Sequence, residues 1–154
     1  MEKGPGVAPF IFYLIWHQKH YLKIGVIKFF PAIAWFITTV VLLTLPGNQF
    51  PEDNIFQIPQ QDKILHVVFF FLLVFLFARP FKRSDFNTFQ RKSWFIRIAF
   101  YGLAYGIIIE FIQKYFVPNR DYDGWDIVAD GVGCLTAYFY SITFFIAPKS
   151  AVKK

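Results

Sequence analysis

Residues 62–77 read Asp62-Lys63-Ile64-Leu65-His66-Val67-Val68-Phe69-Phe70-Phe71-Leu72-Leu73-Val74-Phe75-Leu76-Phe77, a polar turn that passes into an unbroken apolar run. No alternation marks a half-buried strand, and no polar stripe marks a surface helix. An apolar run from Ile64 to Ala78 approaches the length of a membrane-crossing helix, about 17–25 residues. It reaches that length if the helix starts near Asp62. Three further runs share this character, about Phe29 to Leu45 with Pro31 in its first turn, Phe95 to Val117, and Ile127 to Ala147. Proline is tolerated in a first turn because its missing N–H would be unpaired there in any case. The expected fold is an all-α membrane protein, a bundle of four transmembrane helices.

Composition agrees. The chain has 154 residues, of which 56% are hydrophobic, 22% aromatic and 17% charged, with a mean hydropathy of +0.42. Soluble domains keep roughly a quarter of their residues charged. This much apolar surface exceeds what a single small core hides, whereas a bilayer accepts it. Cys134 stands alone inside an apolar run, so no internal disulfide is available and the residue reads as a small buried filler.

The net charge of +6 raises the question of nucleic acid, but the distribution of charge points elsewhere. Thirteen of the sixteen Lys and Arg residues fall at Lys3, Lys19, Lys23 and Lys28, in the segment Arg79 to Arg97, and in the tail at Lys149, Lys153 and Lys154. Eight of the ten acidic residues fall on the other side of the four-span plan. Excess basic residues mark cytoplasmic loops. The expectation is therefore cytoplasmic termini, a cytoplasmic middle loop, outward-facing acidic motifs and no nucleic-acid partner. Membrane lipids are the expected surroundings.

Domain organisation follows. Residues 1–28 form an N-terminal segment whose apolar stretch Val7 to Trp16 is too short to span. With Tyr13, Trp16 and Tyr21 beside Lys19 and Lys23, residues 8–28 read as an interfacial helix. Residues 29–147 form the transmembrane domain and 148–154 a basic cytoplasmic tail. Pro, Gly, Asn and Gln between Pro46 and Gln61 favour turns, and Ser84-Asp85-Phe86-Asn87 reads as a turn or helix cap.

Function concentrates in three polar motifs at the outward ends of three spans: Asp62-Lys63-x-x-His66, Glu110-x-x-Gln113, and Arg120-Asp121-x-Asp123-x-x-Asp126-x-x-x-Asp130. If helices begin at Asp62 and Asp126, His66 and Asp130 lie about 6 Å inside, at about 1.5 Å per residue. If the third helix ends near Val117, Gln113 and Glu110 lie about 6 and 10 Å below the same edge. Spacings of three and four place each set on one helix face. Gly102-x-x-x-Gly106-x-x-x-Glu110 and Asp130-x-x-Gly133 add small residues that let helices approach, so both polar faces are expected to point into the bundle. Gly102 and Gly106 also suit a self-association face.

Ionisable groups inside a span are costly and mark function by default. His66, Glu110 and Asp130 are the candidate catalytic residues, with His66 and Glu110 as a base–acid pair. Asp62, Lys63, Gln113, Arg120, Asp123 and Asp126 are candidate ligand-binding residues, with Lys63 or Arg120 holding an anionic head group. His66, Glu110, Asp126 and Asp130 carry donors for a divalent metal. No HExxH or paired-cysteine signature is present, and neither metal nor cofactor is expected. No nucleophile is identifiable. The structural reading of the same residues makes Asp62 and Asp126 N-caps, puts Asp121 and Asp123 in a solvated turn closed by Gly124, leaves Lys63 and Arg120 as counter-charges, and makes His66 a packing residue.

At these motifs the chain resembles the VanZ-like family of membrane proteins. The resemblance runs from about Phe29 to the end of the fourth span and rests on Leu45-Pro46-Gly47, Asp62-Lys63-x-x-His66, Glu110-x-x-Gln113, and Arg120 followed by Asp126 and Gly133. One departure is Asp130, where the family commonly has Asn. The resemblance implies a protein of the bacterial cytoplasmic membrane and cell envelope, in some members linked to lower susceptibility to teicoplanin-type glycopeptides. A lipid-linked envelope precursor or a lipoglycopeptide is then the expected partner, bound or screened at the outward polar site. A small intramembrane hydrolase or transferase and a structural assembly subunit are the alternatives. The resemblance supplies no reaction.

Overall fold

A computed structural model describes residues 25–46 and 61–146. The described residues are helical throughout apart from turns, with no strand. A 3-10 turn over Val26–Phe29 leads into α1 (Phe30–Leu43), with Pro31 in its first turn as expected. Helix α2 covers Gln61–Ala78 and continues as a 3-10 turn over Arg79–Arg83. Helix α3 covers Thr88–Phe116 and α4 covers Gly124–Phe145. All four are long and apolar enough to cross a membrane when the 3-10 turns are counted with α1 and α2. The interfacial helix expected over residues 8–28 lies outside the described residues except for its last turn, as do the loop over 47–60 and the tail.

Two boundaries differ from the expectation. Helix α3 starts seven residues before Phe95, because Asn87 accepts from the Gln90 N–H at 2.8 Å while the Gln90 side chain accepts from the Asn87 N–H at 3.0 Å. This reciprocal capping box extends the helix beyond its apolar stretch, into Gln90-Arg91-Lys92. Helix α4 starts at Gly124 and is capped by Asp123, whose carboxylate accepts from the Trp125 N–H at 2.8 Å. Asp126 is therefore a first-turn residue and not the cap, and Gly124 opens the helix and does not close a turn. Asp62 likewise lies inside the first turn of α2, which begins at Gln61.

Helices α2 and α4 make the central pair, α3 closes against both, and α1 packs mainly on α2. Glycine sets the closest approach. A Cβ on Gly133 would lie 2.5 Å from the Val67 carbonyl oxygen and 3.0 Å from the Phe71 nitrogen, so α4 rides directly on the α2 backbone. Gly102 faces Val74 and Cys134, and Gly106 faces Asp130. The small-residue face of α3 is thus filled from within the bundle and is not a self-association face. Helix α1 is held by Trp35, whose indole N–H donates to the Phe69 carbonyl at 3.1 Å, and by a 3.2 Å hydroxyl pair between Thr39 and Tyr105.

The outside of the bundle is apolar. Phe30, Phe100, Phe116, Trp125, Phe139 and Phe144 are all exposed, far more apolar surface than a water-soluble bundle presents. The two ends differ in charge. At one end Phe29, Phe81, Trp94 and Phe95 cluster beneath Lys82, Arg83, Arg91 and Arg97, with Arg91 donating to the Ser84 and Phe145 carbonyls. At the other end the three polar motifs meet.

Candidate functional site

The outer layer of the polar end is built on Lys63. Position 63 in the first turn of α2 aims its ammonium across to α4, where Nζ lies 2.7 Å from Asp123 Oδ2 and 3.2 Å from Asp126 Oδ1. Asp62 of its own helix completes the set at 3.2 Å. The Asp123 carboxyl is held below the ordinary carboxylate value, first by the Lys63 ammonium and then by the Trp125 N–H at the helix cap. One lysine thus neutralises a helix cap and ties two helices together.

The inner layer lies one turn deeper and is buried. His66 Nδ1 is 2.8 Å from Asp130 Oδ1, and both residues are buried, Asp130 completely. Asp130 fits there because the facing residue of α3 is Gly106, whose missing side chain leaves room for the carboxylate. With Nδ1 held, the other imidazole nitrogen points to Asp126, Nε2 lying 3.8 Å from Asp126 Oδ2. Phe70 stacks against the imidazole at 6.3 Å, and Tyr105 packs on Phe70 at 5.6 Å, giving the pocket an aromatic floor.

Glu110 enters this layer from α3. It is 1% exposed, and one oxygen, Oε2, accepts from the Asp123 N–H at 3.2 Å. Its other oxygen, Oε1, is buried without a hydrogen-bond partner, as is Asp130 Oδ2. Gln113, one turn further along α3, donates through Nε2 to the Leu43 carbonyl at 2.9 Å and so closes the free C-terminal end of α1. Donor atoms from His66, Glu110 and Asp126 lie within 4.8 Å of one another.

The candidate residues named from sequence therefore meet, in roles partly different from those expected. His66, Glu110 and Asp130 share one buried pocket, but the partner of His66 is Asp130, and Glu110 stands beside the pair. Lys63 contacts three carboxylates, Asp62, Asp123 and Asp126. Gln113 is a structural latch on α1. Arg120 is half-buried in the α3–α4 turn, where Asn119 adopts the left-handed conformation at φ 57°, and Asp121 is exposed beside it. Thr39 and Tyr105 below the pocket were not singled out. Their only sequence signal is a hydroxyl inside an apolar run, which is common in spans.

No family model matches the chain, and no solved structure matches it. An uncharacterized protein of Schizosaccharomyces pombe is similar to it, 33% identical over 87 residues, which is 56% of this chain and 50% of the yeast protein. The chain thus spans half the length of that relative. Fold and site define the class: among the described residues, a bundle of four helices of membrane-crossing length with a buried His–Asp–Glu cluster at its acidic end.

Proposed function

We propose that this chain is a multi-pass membrane protein whose acidic-end pocket receives the polar head of a membrane lipid or lipid-linked envelope precursor. The VanZ-like resemblance supports an envelope setting, and with it an effect on access of lipid-anchored glycopeptides to their target. Positive-inside asymmetry supports an orientation with the basic end cytoplasmic and the pocket outward, as in a bacterial inner membrane.

The observation that carries this reading is Glu110. A carboxylate 1% exposed with one oxygen unpartnered is a poor packing device, because a network kept only for stability would satisfy its oxygens or do without them. A ligand's hydroxyl or amide donors would meet that oxygen. The assembly-subunit reading leaves it unexplained.

A second reading is favoured by the His66–Asp130 contact. An imidazole held at Nδ1 by a buried carboxylate presents Nε2 in a fixed orientation, an arrangement suited to proton transfer. The pocket would then act on the head group and not only hold it. Lipid and lipid-linked-precursor profiles of cells expressing wild type or Glu110→Gln, at matched membrane levels, separate the readings. A species converted only by wild type establishes catalysis and names its substrate class. A species enriched on purified wild type but not on the variant, with cell profiles unchanged, establishes binding. Identical profiles and identical bound lipid in both proteins would refute the proposal.

A further inference from the structure

The two layers of the polar end differ in how their negative charge is met. In the outer layer Asp62, Asp123 and Asp126 form a triplet with cation-binding spacing, and the Lys63 ammonium already sits against all three. The inner triplet of His66, Glu110 and Asp126 has the same compactness, with one donor atom from each residue inside 4.8 Å, and Lys63 reaches it only at its shared member, Asp126 Oδ1. All three residues are buried, and Glu110 Oε1 has no partner. Two carboxylates packed around an imidazole in a dry pocket repel one another unless a positive charge joins them.

We propose that His66 Nε2, Glu110 and Asp126 form a binding site for one divalent first-row cation, with Zn2+ and Mn2+ as the ions suited to it. The donor chemistry supports this. One imidazole nitrogen with two carboxylate oxygens matches borderline ions, whereas a purely oxygen set would favour Mg2+ or Ca2+. Three protein donors leave at least one position open, the arrangement of working sites and not of structural ones. Asp130 adds a further sign. Histidines that bind metal commonly donate their other N–H to a carboxylate, which fixes the ring and raises its basicity, and the 2.8 Å contact at Nδ1 is of that kind. Asp130 is thus a positioning residue for the imidazole and not a ligand. Asp126 joins the layers, giving Oδ1 to Lys63 and turning Oδ2 toward His66.

The cation site stands independently of the lipid proposal, since it is measured on protein alone. It bears on the choice between binding and acid–base catalysis, because a cation at Nε2 and proton transfer at Nε2 exclude one another.

The test uses the full chain in detergent, stripped with chelator and titrated with Zn2+ and with Mn2+ by calorimetry. One equivalent of tight binding is expected, weakened by about 10–100-fold in Asp130→Asn, as for other groups that orient a ligating histidine, and more strongly still in Glu110→Gln. His17 and His20 supply a possible background, which the Glu110→Gln variant subtracts. Bound Mn2+ adds a readout that needs no variant, because nitrogen coupling in its paramagnetic resonance spectrum reports a ligating imidazole. Absence of binding to wild type, equal binding to wild type and Glu110→Gln, or bound Mn2+ without nitrogen coupling would each overturn the proposal.

Discussion

Gly133→Ala tests how closely the pocket depends on helix approach. The added Cβ would stand 2.5 Å from the Val67 carbonyl oxygen, where ordinary contact begins at 3.4 Å. Both atoms it meets first, Val67 O and Phe71 N, are backbone, so no side chain can rotate away and the α2 and α4 axes must part locally by about 0.9 Å. Overpacking costs run to about 3 kcal/mol, and with backbone contacts the upper part of that range applies. Replacing a helical glycine returns about 1 kcal/mol, leaving a net destabilisation of about 2 kcal/mol.

The same displacement acts on the pocket. His66 precedes Val67, and Asp130 lies one turn before Gly133, so the 2.8 Å contact between them stretches beyond hydrogen-bond reach. Gly131→Ala is the internal control. Its Cβ would meet only Leu103 Cδ1, at 3.7 Å, so that variant should be as stable as wild type or gain up to about 1 kcal/mol. Reversible unfolding of the purified chain in mixed detergent reads both. If Gly133→Ala unfolds at the wild-type midpoint, or if the two alanine variants behave alike, close α2–α4 approach is not what holds the pocket together.

Two further outcomes follow from the outer layer. Lys63→Met removes the ammonium shared by Asp62, Asp123 and Asp126 and should cost about 1 kcal/mol in the same unfolding assay, the upper end for partly exposed pairs. The wild type should also lose stability in acid in a defined window. The Asp123 carboxyl is held below its ordinary 3.8 by Lys63, so its contribution is complete above that value and is lost as pH falls through the depressed one. Lys63→Met should flatten that part of the pH profile, and an unchanged acid limb would show that the ion pair does not contribute.

Much of the fold was legible because a span is defined by apolar length alone. The runs around Phe36, Phe71, Ile108 and Leu135 each became a helix. That His66, Glu110 and Asp130 share one level was legible, since each lies within about two turns of its helix end, although the offset of Asp130 is larger than expected because α4 starts at Gly124 and not at Asp126. Gly102 and Gly106 pointed inward as expected. What the sequence did not disclose depends on choices between equivalent partners. Asp123 and Asp126 are both acceptable caps, and only the path of the chain after Asn119 selects Asp123. Helix α3 extends through Arg91 and Lys92 because a capping box starts it, a signal that apolar periodicity does not carry. The pairing of His66 with Asp130 in place of Glu110 follows from the space over Gly106, a three-dimensional fact. The latch from Gln113 to the Leu43 carbonyl engages a backbone atom, which has no residue identity to read.

The central claim is that the buried polar pocket is kept for what it does and not for the stability it lends. Glu110→Met examines this most directly, since it replaces the buried carboxylate by an unbranched apolar side chain that fits irregular space. Measured with chelator present, the variant should unfold near the wild-type midpoint, because relief of the desolvation cost of a buried carboxyl with an unsatisfied oxygen offsets the lost hydrogen bond from the Asp123 N–H. Its lipid phenotype should be absent. A variant destabilised by several kcal/mol would instead identify Glu110 as part of the packing, and would contradict the account.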